Sequence, residues 1–150
     1  MATATMLVVA EQLEQLASNA PEMGWSLTIL SPCAFVLGVP ARDGSNLYWR
    51  CDADRYPTWP PAWHWSDAAG EHVDAPEVTG RGGNFFHGKG VVCAPWIGLA
   101  YTSVDARGPH ADWTIGDWLT NPKTRQCTTL AAMAARLAVE ALQRFEKRAG

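Results

Sequence analysis

No two of the four cysteines, at 33, 51, 93 and 127, form a CxxC pair. That spacing is the basis of thioredoxin-like redox sites and zinc ribbons. HExxH is also lacking, so a zinc centre assembled from Cys93, His87, His110 and either His72 or Cys51 would have no tight ligand pair to anchor it. No cofactor or metal is expected. Lysine and arginine number 12 against 15 acidic residues, for a net charge of -3, and they are scattered. Without a basic patch there is no electrostatic footprint for nucleic acid or an anionic membrane. Long apolar runs are missing too. Residues 1–10 lack a basic start and Glu11-Gln12 follows directly, which is too short and wrongly flanked for a signal peptide or membrane span. The expected location is therefore cytoplasmic, with reduced thiols.

What is present describes an ordinary globular protein. Hydrophobic residues make up 47% of the chain and charged residues 18%, outside the disordered range. The 150 residues fit a single domain, 1–150, with no repeats and no linker,. Eight tryptophans are many for this length. Each combines an apolar body with an N–H that needs a partner, so several are expected half-buried or at an interface.

Periodicity gives the order of elements. Met6, Val9, Leu13 and Leu16 recur at helical spacing and predict a helix over 6–19, capped by Thr5 and ended by Ser18, Asn19, Pro21 and Gly24,. From Trp25 the period becomes two, predicting a strand over 25–30 that stops at Ser31-Pro32,. A second strand is expected over 33–39, a turn over 42–46 and a third strand over 47–52, where Leu47, Trp49 and Cys51 alternate with Tyr48, Arg50 and Asp52,. A short fourth strand is expected over 62–66. Residues 67–90 read as a long irregular loop, 114–119 as one or two helical turns, and a last helix starts near Thr128 or Thr129,. Its inward stripe is Leu130, Met133 or Ala134, Leu137, Ala141 and Phe145,. The fold class is α+β, in the order helix, antiparallel meander, loop region, helix.

Two stretches break the periodicity. Tyr56-Pro57-Thr58-Trp59-Pro60-Pro61-Ala62-Trp63 holds three prolines in five residues. Each fixes φ and lacks an N–H, so the segment is stiff and extended. Later, His87-Gly88-Lys89-Gly90-Val91-Val92-Cys93 presents a cysteine after a glycine-rich turn.

These two stretches, in this order, resemble the ubiquitin-conjugating enzyme family. That family has an N-terminal helix and a four-stranded antiparallel meander. A tyrosine-proline-x-x-proline-proline segment leads into its fourth strand, and a long loop leads to the catalytic cysteine. Tyr56 to Pro61 matches the proline segment letter for letter, and Gly90-Val91-Val92-Cys93 resembles the approach to the cysteine. Trp113 is the counterpart expected for the tryptophan that follows. The histidine-proline-asparagine triplet that precedes the cysteine in the eukaryotic pattern is replaced here by Gly83-Asn84-Phe85-Phe86-His87. Divergent bacterial members, encoded beside activating enzymes, ubiquitin-like proteins and deubiquitinase-like peptidases, share that departure.

The resemblance implies a bacterial conjugating enzyme that takes a ubiquitin-like protein from an activating enzyme as a thioester on Cys93 and passes it to an amine. An associated deubiquitinase-like peptidase is a further implied partner. The alternative is a noncatalytic binding or scaffold module of the same fold. Cysteine suits acyl carriage because its thiolate is strongly nucleophilic and its thioester stays reactive toward amines. As a plain residue, Cys93 could instead be a buried thiol. Asn84 and His87 on the preceding loop, and His110 on the following one, are the candidates for oxyanion donor or acid-base group. Equally, Asn84 could simply make a turn and His87 lie in solvent. His110 and Asp112 lie on the loop where the resemblance places residues that gate the thioester, and Lys89 is a solvated loop lysine unless it favours the thiolate. Cys33, Cys51 and Cys127 are expected in the core, and Tyr56, Trp59, Pro60 and Pro61 are expected to brace the sheet. The polar face of the first helix, Glu11, Gln12, Glu14 and Gln15, corresponds in the family to the activating-enzyme surface, or else is a solvated helix face.

Overall fold

Thr3, rather than Thr5, starts the first helix. Its backbone is extended (φ -82°, ψ 166°) and its hydroxyl accepts from the Met6 N–H at 3.1 Å, which supplies one of the unmet donors of the first turn. The computed structural model describes residues 3–42, 44–73, 86–87, 91–92, 94, 96–98, 101, 115–124 and 127–143, with backbone only at 86–87, 91–92, 123 and 143. Helix α1 (Ala4–Met23) runs past the expected end at 19. Pro21 falls in its last turn, where little of the helical ladder remains to be broken. Gly24 at φ 73° then ends it, and Trp25 N–H closes on the Ala20 carbonyl at 2.9 Å,. Val9, Leu13, Leu16 and Ala20 form the buried stripe.

Four strands follow, β1 (Ser26–Ser31), β2 (Ala34–Pro40), β3 (Asn46–Asp52) and β4 (Ala62–Ser66). They pair antiparallel in the order β1-β2-β3-β4, the meander expected from short connections. Alternation sorts the side chains. Phe35, Leu37 and Val39 stand opposite Cys51, Trp49 and Leu47, and Trp49 and Cys51 stand opposite Trp65 and Trp63. This face is the core, with Phe35 edge-on to Trp63 at 5.5 Å and Trp49 beside Trp65 at 4.8 Å,. Tyr48, Arg50, Asp52 and His64 share the opposite face,.

Alternation misleads in β1. Leu27 and Ile29 point to the core side, yet Ile29 is 54% exposed. Among the described residues β1 is the outermost strand of the sheet, and Ile29 stands at its rim while Leu27 still packs against the core.

Helix α2 (Leu130–Gln143) begins after Thr129, whose hydroxyl accepts from Ala132 N–H at 3.1 Å. Leu130, Met133, Ala134, Leu137, Ala138 and Ala141 are buried, so both Met133 and Ala134 belong to the stripe. The helix packs on α1 and β2, and Arg42 N–H bonds the Ala141 carbonyl at 3.1 Å at its far end. Phe145, also expected in the stripe, lies outside the described residues.

Between sheet and α2 come a short hairpin of two two-residue strands, β5 (Phe86–His87) with β6 (Val91–Val92), and short 3-10 helices at Ile115–Thr120 and Pro122–Thr124. The architecture is thus α+β, with an N-terminal helix, a four-stranded antiparallel sheet and a C-terminal helix. Among the described residues no helix is long and apolar enough to cross a membrane.

Candidate functional site

The proline segment is a hub on which later parts of the chain are fixed. Tyr56 is 1% exposed although it follows directly on exposed Arg55. Its hydroxyl lies 2.8 Å from Gln12 Oε1 in α1 and also reaches the Thr128 carbonyl ahead of α2. Gln12 Oε1 accepts in addition from Leu130 N–H at 2.8 Å, and that backbone donor fixes which end of the amide faces inward. One tyrosine hydroxyl and one glutamine therefore join both helices to the segment leaving β3. Next along, the Pro57 carbonyl accepts from Trp118 Nε1 at 3.0 Å, and Trp118 is fully buried. The peptide bond between Tyr56 and Pro57 is cis. Arg55 lies over the half-buried Trp59 ring at 4.5 Å,.

The other end of the segment receives the chain that follows Cys93. Ala94, Trp96, Ile97 and Tyr101 are buried. Gly98 N–H donates to the Pro61 carbonyl at 2.9 Å. The approach is close enough that a Cβ on Gly98 would sit 3.1 Å from the Pro60 carbonyl oxygen and 3.4 Å from that of Pro61. β6, which immediately precedes Cys93, runs near β4. The proline run and the cysteine region, remote in sequence, therefore border one another in space. The stiffness of the run matters here, because fixed φ angles at Pro60 and Pro61 limit how far the backbone that carries the Pro61 carbonyl can shift.

Of the site residues picked from sequence, His87 is placed by its backbone, paired with Val91 in the β5–β6 hairpin. Cys93 follows that hairpin directly. Asn84, Cys93 and His110 lie outside the described residues, as do Lys89, Asp112 and Trp113. Of the four residues expected to brace the sheet, Tyr56, Pro60 and Pro61 are buried and Trp59 is half-buried, and the Tyr56 hydroxyl reaches α1 and the residue ahead of α2 rather than the sheet.

The three other cysteines are poor nucleophiles. Cys33, Cys51 and Cys127 are free thiols and buried. Burial, reinforced by Asp52 and Asp54, pushes the Cys51 thiol well above its ordinary value. Burial also raises Cys33, with Asp54 adding to it, and raises Cys127 against the opposing pull of Arg136. A raised pKa leaves almost no thiolate near neutrality. Among the described residues, no group of three His, Cys, Asp or Glu side chains gathers as a metal ion would require.

Three features were not singled out in the sequence. Gly98 lies in a mostly apolar stretch of sequence, and only its contact with Pro61 reveals a docking point. Gln12 reads as surface, but it is half-buried and turned inward, which leaves Glu11, Glu14 and Gln15 as the exposed part of that helix face. On the outer sheet face Asp52 bridges Arg50 Nε at 3.2 Å and His64 Nε2 at 3.4 Å. Strand alternation places these three together, but at this exposure such pairs contribute little to stability.

Compared with known proteins, the chain matches no protein-family model, no curated sequence and no solved structure.

Proposed function

We propose that this chain is a divergent ubiquitin-conjugating-enzyme-like protein of the bacterial type, carrying a ubiquitin-like protein as a thioester on Cys93. The observation that carries the reading is the hydrogen bond from Gly98 to Pro61. It joins the proline segment, one of the two motifs on which the family resemblance rests, to the stretch that follows the other. The α+β order of helix, four-stranded meander and C-terminal helix agrees with it.

The chemistry is two acyl transfers. The Cys93 thiolate attacks the thioester carbonyl that links the ubiquitin-like protein to its activating enzyme. A new S–C bond forms and the activating enzyme leaves as a thiolate. An acceptor amine then attacks the Cys93 thioester, forming a C–N bond, expelling the Cys93 thiolate and releasing the amine proton to a base. Both steps pass through a tetrahedral oxyanion that needs a donor; Asn84, His87 and His110 are the residues proposed for that donor and for the base. The partners are a ubiquitin-like protein and its activating enzyme, with a deubiquitinase-like peptidase as a further associate.

To test it, the chain is incubated with an activating enzyme, ATP and a ubiquitin-like protein encoded beside it. A reductant-sensitive adduct that disappears in Cys93→Ala supports the reading, and the same labile adduct in Cys93→Ala defeats it. A noncatalytic binding module is the second reading, favoured by the absence of the histidine-proline-asparagine triplet. It predicts stable association with the ubiquitin-like protein and no adduct.

A further inference from the structure

We draw no further inference here: the strongest candidate, the apolar groove between α1 and β1 lined by Met6, Ala10, Leu13, Leu27 and Ile29, borders a strand that is outermost only among the described residues, and nothing in the structure shows what covers it.

Discussion

Gly98 donates its amide hydrogen to the Pro61 carbonyl across 2.9 Å, so the segment after Cys93 is pinned to the proline run before β4. The contact is backbone to backbone, and neither partner can move aside cheaply. A Cβ at Gly98 would meet the Pro60 and Pro61 carbonyl oxygens at 3.1 and 3.4 Å and Ala62 Cα at 3.6 Å.

Gly98→Ala should therefore destabilise the protein by about 1–3 kcal/mol, the usual cost of overpacking a rigid site. Urea denaturation measures it. An unchanged midpoint would mean that the pinning is not tight. Under the acyl-carrier reading, the same variant should slow thioester formation even where it remains folded, since it displaces the chain next to Cys93.

Tyr56→Phe removes the hydroxyl shared between Gln12 Oε1 and the Thr128 carbonyl. Gln12 keeps its bond from Leu130, while the Thr128 carbonyl loses the tyrosine donor. The expected cost is about 1–2 kcal/mol. Gln12→Leu removes the acceptor facing both the hydroxyl and the Leu130 amide and should cost at least as much. Because the two side chains share one node, the double variant should cost less than the sum of the singles, read from a cycle of urea midpoints.

The sequence carried most of this fold because its signals were local. β4 falls at 62–66 as read, and β2 and β3 begin within one residue of expectation. Alternation in β3 assigns Trp49 and Cys51 to the core and Arg50 and Asp52 to the other face. What failed was what local pattern cannot encode. Thr3 and Thr5 are equally good caps by residue type, and only the backbone geometry selects Thr3. Ile29 alternates like a core residue but stands on the outermost strand among the described residues, a fact of topology. Gln12 looked like surface because its partners, Tyr56 and Leu130, are far away in the chain. At the candidate site, the hairpin leading to Cys93 and its proximity to the proline run are in view, whereas Asn84, His110 and Cys93 rest on the sequence alone.

Stability should fall as pH rises above about 9. Burial pushes Tyr101 from its ordinary 10.0 up to about 12, and Cys51 well above its ordinary 9.0. The unfolded chain therefore loses these protons first. The stabilisation is complete below the unfolded values and is lost progressively as pH climbs toward the folded ones. The urea midpoint near pH 10.5 should lie below that near pH 8, and Tyr101→Phe should reduce the difference. A midpoint that holds or rises would contradict the assignment.

Thiol reactivity should be strongly uneven. Brief iodoacetamide treatment near neutral pH, followed by peptide mapping, should label Cys51 least, since it is fully buried with a raised pKa. Cys33 and Cys127 should also label slowly. Under the acyl-carrier reading Cys93 labels first, by at least about tenfold over Cys51. Labelling of Cys93 no faster than that of Cys51 would favour the noncatalytic module.

The most direct measurement is to locate the acyl group itself. After reaction with activating enzyme, ATP and ubiquitin-like protein, the adduct is digested under acidic, non-reducing conditions and its attachment site is read by mass spectrometry. The account predicts a reductant-labile C-terminal acyl group on Cys93, absent from Cys93→Ala and present in variants of Cys33 and Cys127. A thioester mapped to any other cysteine, or no thioester despite a fully charged activating enzyme, would contradict it.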